Sequence, residues 1–374
     1  MPRTLPWLNG NENPEKYWDF EALKNPPAYV VDHDPLSEHE NMTSFIFDGV
    51  MENGRQTKVF AYIAYPDGPV PEGGWPGIVL VHGGGGTAFA WAVELWRSYG
   101  YAVIAPDWYG RRPVNTDQIK EAGELIRPYV AFERPHRYNN QTGHISNAAN
   151  LVLAHSLLLS LDKVNPEKTA YAGLSWGSWY GAMVTAIDPR FKGIIEIYLG
   201  DRKDIDLFIN GRFLHAAKCP MYYVAGTYDL HGFPSTLQAG FEACGPMLGN
   251  RSVIVALPHS HQGFRYPVCR RYADAILYGA PGLPLIGATV IDGNTISAAV
   301  EYEGKGIQKT FLCFTCDRHE AIPARRKWEM IPAQYCNGRI SAQLPENVYQ
   351  CFISAFDEEN ESGDCCGTGD IITF

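Results

Sequence analysis

Short apolar, β-favouring runs recur through the middle of the chain, at residues 78–81, 102–105, 169–172, 193–198, 221–225 and 252–257, and stretches of helical spacing lie between several of them. Strand signals that alternate with helical ones predict a mainly parallel, doubly wound sheet with helices on both faces. Ahead of this region, the runs 44–47 and 58–64 flank Asn53-Gly54 and read as a hairpin. Residues 1–44, rich in Pro, Asn and aromatic side chains and with one helix-like patch at 14–24, read as an arm that packs along the main domain. After Gly282 the pattern changes. Short segments at 289–291, 296–302, 309–315 and 348–355, split by Gly, Asn and Asp turns, predict a small β-sandwich. The expected organisation is an arm (1–44), an α/β domain (45–282) and an all-β domain (283–374), the last open to service as a carbohydrate-binding module, a dimerisation surface or a rigid lid.

Composition narrows the class of protein. A chain of 374 residues with 45% hydrophobic and 19% charged residues is that of an ordinary globular protein. A net charge of −10 with basic runs no longer than Arg325-Arg326-Lys327 argues against a nucleic-acid partner, which needs a concentrated cationic surface. The longest mostly apolar stretch, 151–161, contains His155 and Ser156 and is too short to cross a bilayer. The first residues lack the apolar core of a signal peptide, so the expected location is the cytoplasm, with no membrane partner. Nine cysteines without paired spacing read as reduced thiols, Cys313-x-x-Cys316 included. Homo-oligomerisation stays open.

Pattern and chemistry meet at Gly173-Leu174-Ser175-Trp176-Gly177. A β-favouring run leads in and a small-residue, helix-compatible run at 178–187 leads out, which places Ser175 on a sharp strand-to-helix turn, the setting of a nucleophile elbow. The pentapeptide alone is common, and its flanks give it meaning. A serine hydroxyl also needs a base to take its proton. The strand signal 221–225 empties into Gly226-Thr227-Tyr228-Asp229, and 252–257 is followed by Pro258-His259-Ser260-His261-Gln262-Gly263. Both loops leave the carboxyl ends of strands, the edge at which open α/β sheets bind ligands. Chain order therefore offers Ser175 as nucleophile, Asp229 as acid and His261 as base. His261 is preferred because it adjoins the small, flexible Gln262-Gly263 turn, and His259 is the alternative base. Asp201, Asp204 and Asp206 compete for the acid role but follow the preceding strand.

The run 78–81 leads into His82-Gly83-Gly84-Gly85-Gly86, a loop of the type that supplies oxyanion donors. The N–H groups of Trp176 and of Gly84 or Gly85 are the expected hole. No Gly-Lys-Ser/Thr follows, and no G-x-G-x-x-G spacing is present, so the loop is not read as a phosphate cradle. Trp108, Tyr109, Trp179 and Tyr228 fall at the same edge and are candidates to line the substrate. His82 reads as a loop-ordering residue and His155 as a packed one. His259 and His261 lack a third ligand at convincing spacing, so neither metal nor cofactor is expected.

Taken together, HGGGGTAF, AGLSWGS, AIDPRFKG, GTYD and LPHSHQGF resemble the α/β-hydrolase superfamily over roughly residues 45–282. Within it the chain is most similar to the acetylxylan-esterase and dienelactone-hydrolase-like branch, relatives of prolyl-oligopeptidase-type catalytic domains. The resemblance implies a serine carboxylester hydrolase working through an acyl-enzyme on short-chain, acetyl esters, carbohydrate esters among them. Ser178 stands where relatives often carry another glycine. Two other readings stay open: a prolyl-oligopeptidase-like serine peptidase, and a non-catalytic carbohydrate-binding protein on a hydrolase scaffold.

Overall fold

The computed structural model describes residues 12–114, 129–134, 141–199, 212–231, 234–358 and 365–374. Contacts divide the chain into two compact units. One runs to Ile194 and includes Asp206–Cys219, and the other comprises Ile195–Ile205 and Pro220–Phe374. The architecture is α/β, with a large, mostly parallel sheet and further antiparallel sheets at the C-terminal end.

In the first unit the strands are β1 (Tyr29–Val31), β2 (Thr43–Glu52), β3 (Arg55–Ala64), β4 (Trp75–Val81), β5 (Ala102–Pro106) and β6 (Val164–Leu174). β2 and β3 form the expected hairpin. Asn53 and Gly54 both take positive φ, 51° and 76°, the backbone that a two-residue turn needs to match strand twist. β3 pairs antiparallel with β5, while β4 lies parallel to both β5 and β6. β1, which sequence reading does not single out, pairs with β2 and has all three residues exposed. Its Tyr-Val-Val sequence favours strand, but a run of three residues is too short to stand out from the arm around it.

Helices Ala90–Ser98, Gln141–Leu159 and Trp176–Ile187 complete this unit. Gln141–Leu159 is buried along most of its length, with the polar residues His144, Asn147, Asn150 and His155 enclosed beside its apolar ones. The arm packs on it as expected. Trp18 Nε1 donates to the Ile145 carbonyl at 2.9 Å, and Ser156 Oγ donates to that of Leu23 at 2.7 Å.

β7 (Gly193–Ile197) contains the point of division, and the second unit continues with the parallel pair β8 (Met221–Tyr228) and β9 (Leu248–Pro258). Helix Pro267–Tyr278 then leads to β10 (Leu285–Asp292), β11 (Thr295–Tyr302), β12 (Lys309–Thr315), β13 (Glu329–Pro332), β14 (Gln334–Cys336), β15 (Arg339–Gln343), β16 (Gln350–Phe356), β17 (Gly367–Thr368) and β18 (Ile372–Thr373). These make two antiparallel sheets, β10-β11-β15-β14 and β13-β12-β16-β17, around a core that includes Ile296, Leu312, Ile340, Cys351 and Ile353. The sandwich is bonded to β9 rather than tethered after it. Arg251 Nε donates to the Thr368 carbonyl (2.9 Å), Val253 N to Thr368 Oγ1 (3.0 Å), and Asn250 Nδ2 to the carbonyls of Leu283 and Pro284 (3.2 Å each). These buried bonds join the sandwich to β9 within the second unit. Among the described residues no helix is long and apolar enough to cross a membrane.

Candidate active site

β6 ends at Leu174 and the next helix begins at Trp176, leaving Ser175 alone to turn the chain at φ 55°, ψ −109°. A non-glycine residue held there costs on the order of 1–3 kcal/mol, and such strain persists only where the surroundings enforce it. Here they do. A Cβ on Gly177 would sit 2.1 Å from the Val81 carbonyl oxygen, and one on Gly173 would sit 2.4 Å from that of Gly177. Tyr171 Oη donates to the Gly177 carbonyl at 2.5 Å and Ser178 Oγ to that of Gly173 at 2.8 Å. Ser178, where relatives often carry glycine, thus bolts the first turn of the helix to the strand before it. The helix N-terminus directly after Ser175 favours negative charge at this point.

The glycine loop is pressed against the elbow. A Cβ on Gly83 would lie 3.0 Å from Ser175 Cβ, and one on Gly84 would lie 2.5 Å from Trp176 Cδ1. Gly85 turns the loop at φ 71°, and its N–H donates to Tyr109 Oη at 2.9 Å. That bond ties Gly85 to the loop after β5. His82 orders the loop, as its position suggests. Its Nδ1 lies 2.9 Å from the Gly83 carbonyl oxygen, and its own carbonyl accepts from Trp108 Nε1 at 2.9 Å. Asp107, fully buried, accepts from Thr87 Oγ1 (2.7 Å) and from Tyr109 N (2.9 Å), tying the same two loops together.

Three of the four expected substrate-lining rings are enclosed. Trp108 is 1% exposed, stacked on Tyr109 at 4.0 Å and on His82 at 5.2 Å, while Trp179 meets Trp176 edge-on at 4.9 Å. These rings pack on one another and on His82 beside the glycine loop. Tyr228, in the second unit, is 38% exposed and keeps its ring open to solvent. Arg111 stands over Tyr109 at 4.6 Å and over Tyr129 at 5.0 Å and donates to Tyr129 Oη at 2.7 Å.

In the second unit Asp229 is buried at the end of β8, and the bonded histidine is the alternative one. His259 Nδ1 lies 3.0 and 2.9 Å from the two Asp229 oxygens, and His231 N donates to Oδ1 at 2.7 Å. His261, the preferred base at sequence level, instead opens the 3₁₀ turn His261–Arg265 and is exposed. Gln262 N donates to Ser260 Oγ (3.1 Å) and Gly263 N to the Ser260 carbonyl (3.2 Å). These two bonds close the turn that follows Ser260. The ring of His259 is flanked by Tyr198, centroids 4.6 Å apart, and by His231 edge-on at 4.8 Å. Tyr198 was not anticipated. Its one sequence signal is its place directly after a strand, at the edge where ligands bind.

A second Asp-His pair is architectural. His155 bridges Asp188 Oδ2 (2.7 Å) and Thr169 Oγ1 (2.8 Å), stacked on Phe191 at 3.6 Å, and His155, Asp188 and Thr169 are all 0% exposed. Sealed from solvent, it can meet no substrate. Asp201, Asp204 and Asp206 lie outside the described residues. Among the described residues no group of three or more His, Cys, Asp or Glu side chains could hold a metal ion.

The chain is similar to several solved structures. An acetyl xylan esterase from Paenibacillus sp. R4 is 17% identical, with 74% of this chain and 99% of that one covered and a TM-score of 0.49. Acetyl xylan esterase 1 from Thermoanaerobacterium sp. JW/SL YS485 is 14% identical, covering 70% and 94%, with a TM-score of 0.44. Dipeptidyl peptidase 4 from Porphyromonas gingivalis is 14% identical, covering 63% and 35%, with a TM-score of 0.43. None of these likenesses bears on the substrate. No curated protein matches the chain. The alpha/beta hydrolase family profile matches residues 78–340, from the strand ahead of the glycine loop through the elbow and the acid and histidine loops, and the chain belongs to that family.

Proposed function

We propose that the chain is a serine carboxylester hydrolase in which Ser175 is the nucleophile, His259 the general base and Asp229 the acid that orients it. The observation that carries this reading is the strained, glycine-enforced backbone of Ser175, since a fold with no use for that hydroxyl has no reason to hold it at φ 55°. The Asp229–His259 bond supports the other two roles. A carboxylate on Nδ1 fixes the tautomer whose Nε2 accepts a proton.

In this reading Ser175 Oγ attacks the ester carbonyl while His259 Nε2 removes its proton. The carbonyl π pair moves to oxygen, and the resulting oxyanion takes hydrogen bonds from the N–H groups of Trp176 and Gly84, reinforced by the helix N-terminus. Collapse expels the alcohol, which receives the proton from His259, and leaves an acyl-serine. Water then enters, gives its proton to His259 and displaces Ser175 by the reverse steps. No cofactor takes part.

The motif resemblance points to short-chain, acetyl esters, those of carbohydrates among them. The test is an ester panel, varied in acyl length and in sugar against simple alcohol, run on wild type and on Ser175→Ala with an aminoacyl-nitroanilide for contrast. Turnover of nitrophenyl acetate is expected to fall by several powers of ten in the variant. Undiminished turnover removes Ser175 from the reaction, and nitroanilide cleavage by wild type replaces the esterase reading with a peptidase.

A further inference from the structure

We infer that Tyr198 is a positioning residue for the base: its ring is a fixed support beneath the His259 imidazole, anchored at its far end by Tyr266. This rests on the reading of His259 as the base. Tyr198 is the first residue after β7 and takes φ 65°, a left-handed backbone that is unusual for a bulky side chain. The fold enforces it, with Tyr198 N donating to the Val224 carbonyl at 2.8 Å. The turn sends the ring to a place 2% exposed, with its centroid 4.6 Å from that of His259 and its plane tilted 31° from the imidazole. Tyr198 Oη donates to Tyr266 Oη at 2.8 Å. Tyr266 caps the helix Pro267–Tyr278, so both ends of the ring are held by separate elements.

The need for such a support follows from what else holds the imidazole. Asp229 grips one atom, Nδ1, and a ring held at one atom can still pivot about that contact. A second contact on its face removes the pivot and keeps Nε2 aimed in one direction. The charged and titratable groups around His259 are Asp229 at its Nδ1, Tyr198 on its face and His231 at its edge, with His261 two residues on in its own loop. When the imidazolium forms, the Tyr198 π face attracts it, an interaction realised as the proton transfers and so able to raise kcat without tightening substrate binding. Burial and the hydrogen bond with Tyr266 hold the Tyr198 phenol well above its ordinary value, so the ring stays neutral.

The test compares wild type with Tyr198→Leu, Tyr198→Phe, Tyr266→Phe and His259→Ala for hydrolysis of nitrophenyl acetate and labelling by a fluorophosphonate, each protein checked by thermal melt. Tyr198→Leu is expected to lower kcat roughly tenfold with KM within about twofold and labelling slowed in parallel. Tyr198→Phe, which keeps the ring, is expected to restore most of the loss. Wild-type kcat in folded Tyr198→Leu, an effect confined to KM, or no rescue by Phe overturns the inference. Should the leucine variant not fold, Tyr266→Phe decides: a few-fold loss of kcat at unchanged melting temperature supports the anchor, and wild-type kcat overturns it. His259→Ala separates the two levels, because labelling at the wild-type rate in that variant removes the base itself and not its support.

Discussion

Ser178 Oγ donates to the Gly173 carbonyl at 2.8 Å, closing the elbow around Ser175. Ser178 is fully buried, so Ser178→Ala leaves that carbonyl without its partner and is expected to cost about 1–3 kcal/mol. Since the bond holds the first turn of the helix against the strand, turnover should fall several-fold as well. Thermal melts and nitrophenyl acetate kinetics read both effects, and an alanine variant equal to wild type in each would show the bond to be incidental.

Gly177 tests how tightly the elbow is built. Its would-be Cβ meets backbone, the Val81 carbonyl oxygen at 2.1 Å, and no side chain can move aside to make room. Gly177→Ala is therefore expected to destabilise by about 3 kcal/mol or to yield no folded protein. Urea denaturation measures the loss, and a midpoint within error of wild type contradicts it.

The two histidines of the loop after β9 separate cleanly. His259→Ala and Asp229→Asn are expected to lower kcat by roughly three to four powers of ten, because the first removes the proton acceptor and the second its tautomer control. His261→Ala should stay within a few-fold of wild type, since His261 sits exposed at the head of a 3₁₀ turn. The reverse ranking in steady-state kinetics would return the base to His261.

Acid should loosen the first unit through His155 and Asp188. Burial holds His155 below its ordinary value, although its bond to Asp188 opposes this. Asp188 is raised by burial, but the hydrogen bonds and charges of Arg190 and His155 outweigh that and hold it below the usual carboxylate range. Both groups bind fewer protons folded than unfolded in acid, so stability declines as pH falls, first below the ordinary histidine value of about 6.5 and then below about 3.9. The melting temperature should drop between pH 7 and 5 in wild type and drop less in His155→Gln. Equal slopes would remove His155 as the cause.

Thiol chemistry should leave catalysis untouched. Cys316 and Cys336 are exposed, whereas burial pushes the thiols of Cys244 and Cys351 up to about 12. Iodoacetamide on the native protein is expected to modify Cys316 and Cys336 with esterase turnover retained, because the proposed nucleophile is a hydroxyl. Mass spectrometry of the labelled protein beside its activity checks this.

Much of this was legible from neighbouring residues alone. Asn53-Gly54 announces its turn because positive φ at two successive positions is a local demand, and Gly173 and Gly177 announce the elbow for a similar reason of local space. Apolar runs give the central strands away, since strands buried in a sheet must be apolar. β1 escapes because its apolar run, Tyr29-Val30-Val31, is only three residues long.

What folding alone decided are the partners. Whether His259 or His261 meets Asp229, 30 or 32 positions away, depends on how a five-residue turn closes after Ser260, and both histidines are chemically fit for the role. Gly85 loses its amide to Tyr109, and Trp108 is enclosed among rings brought from His82 and Tyr180, through contacts that no run of adjacent residues records. Backbone sterics act between neighbours and so are written along the chain. A hydrogen-bond donor accepts whichever acceptor the fold delivers, and that choice is made only when distant loops settle against one another.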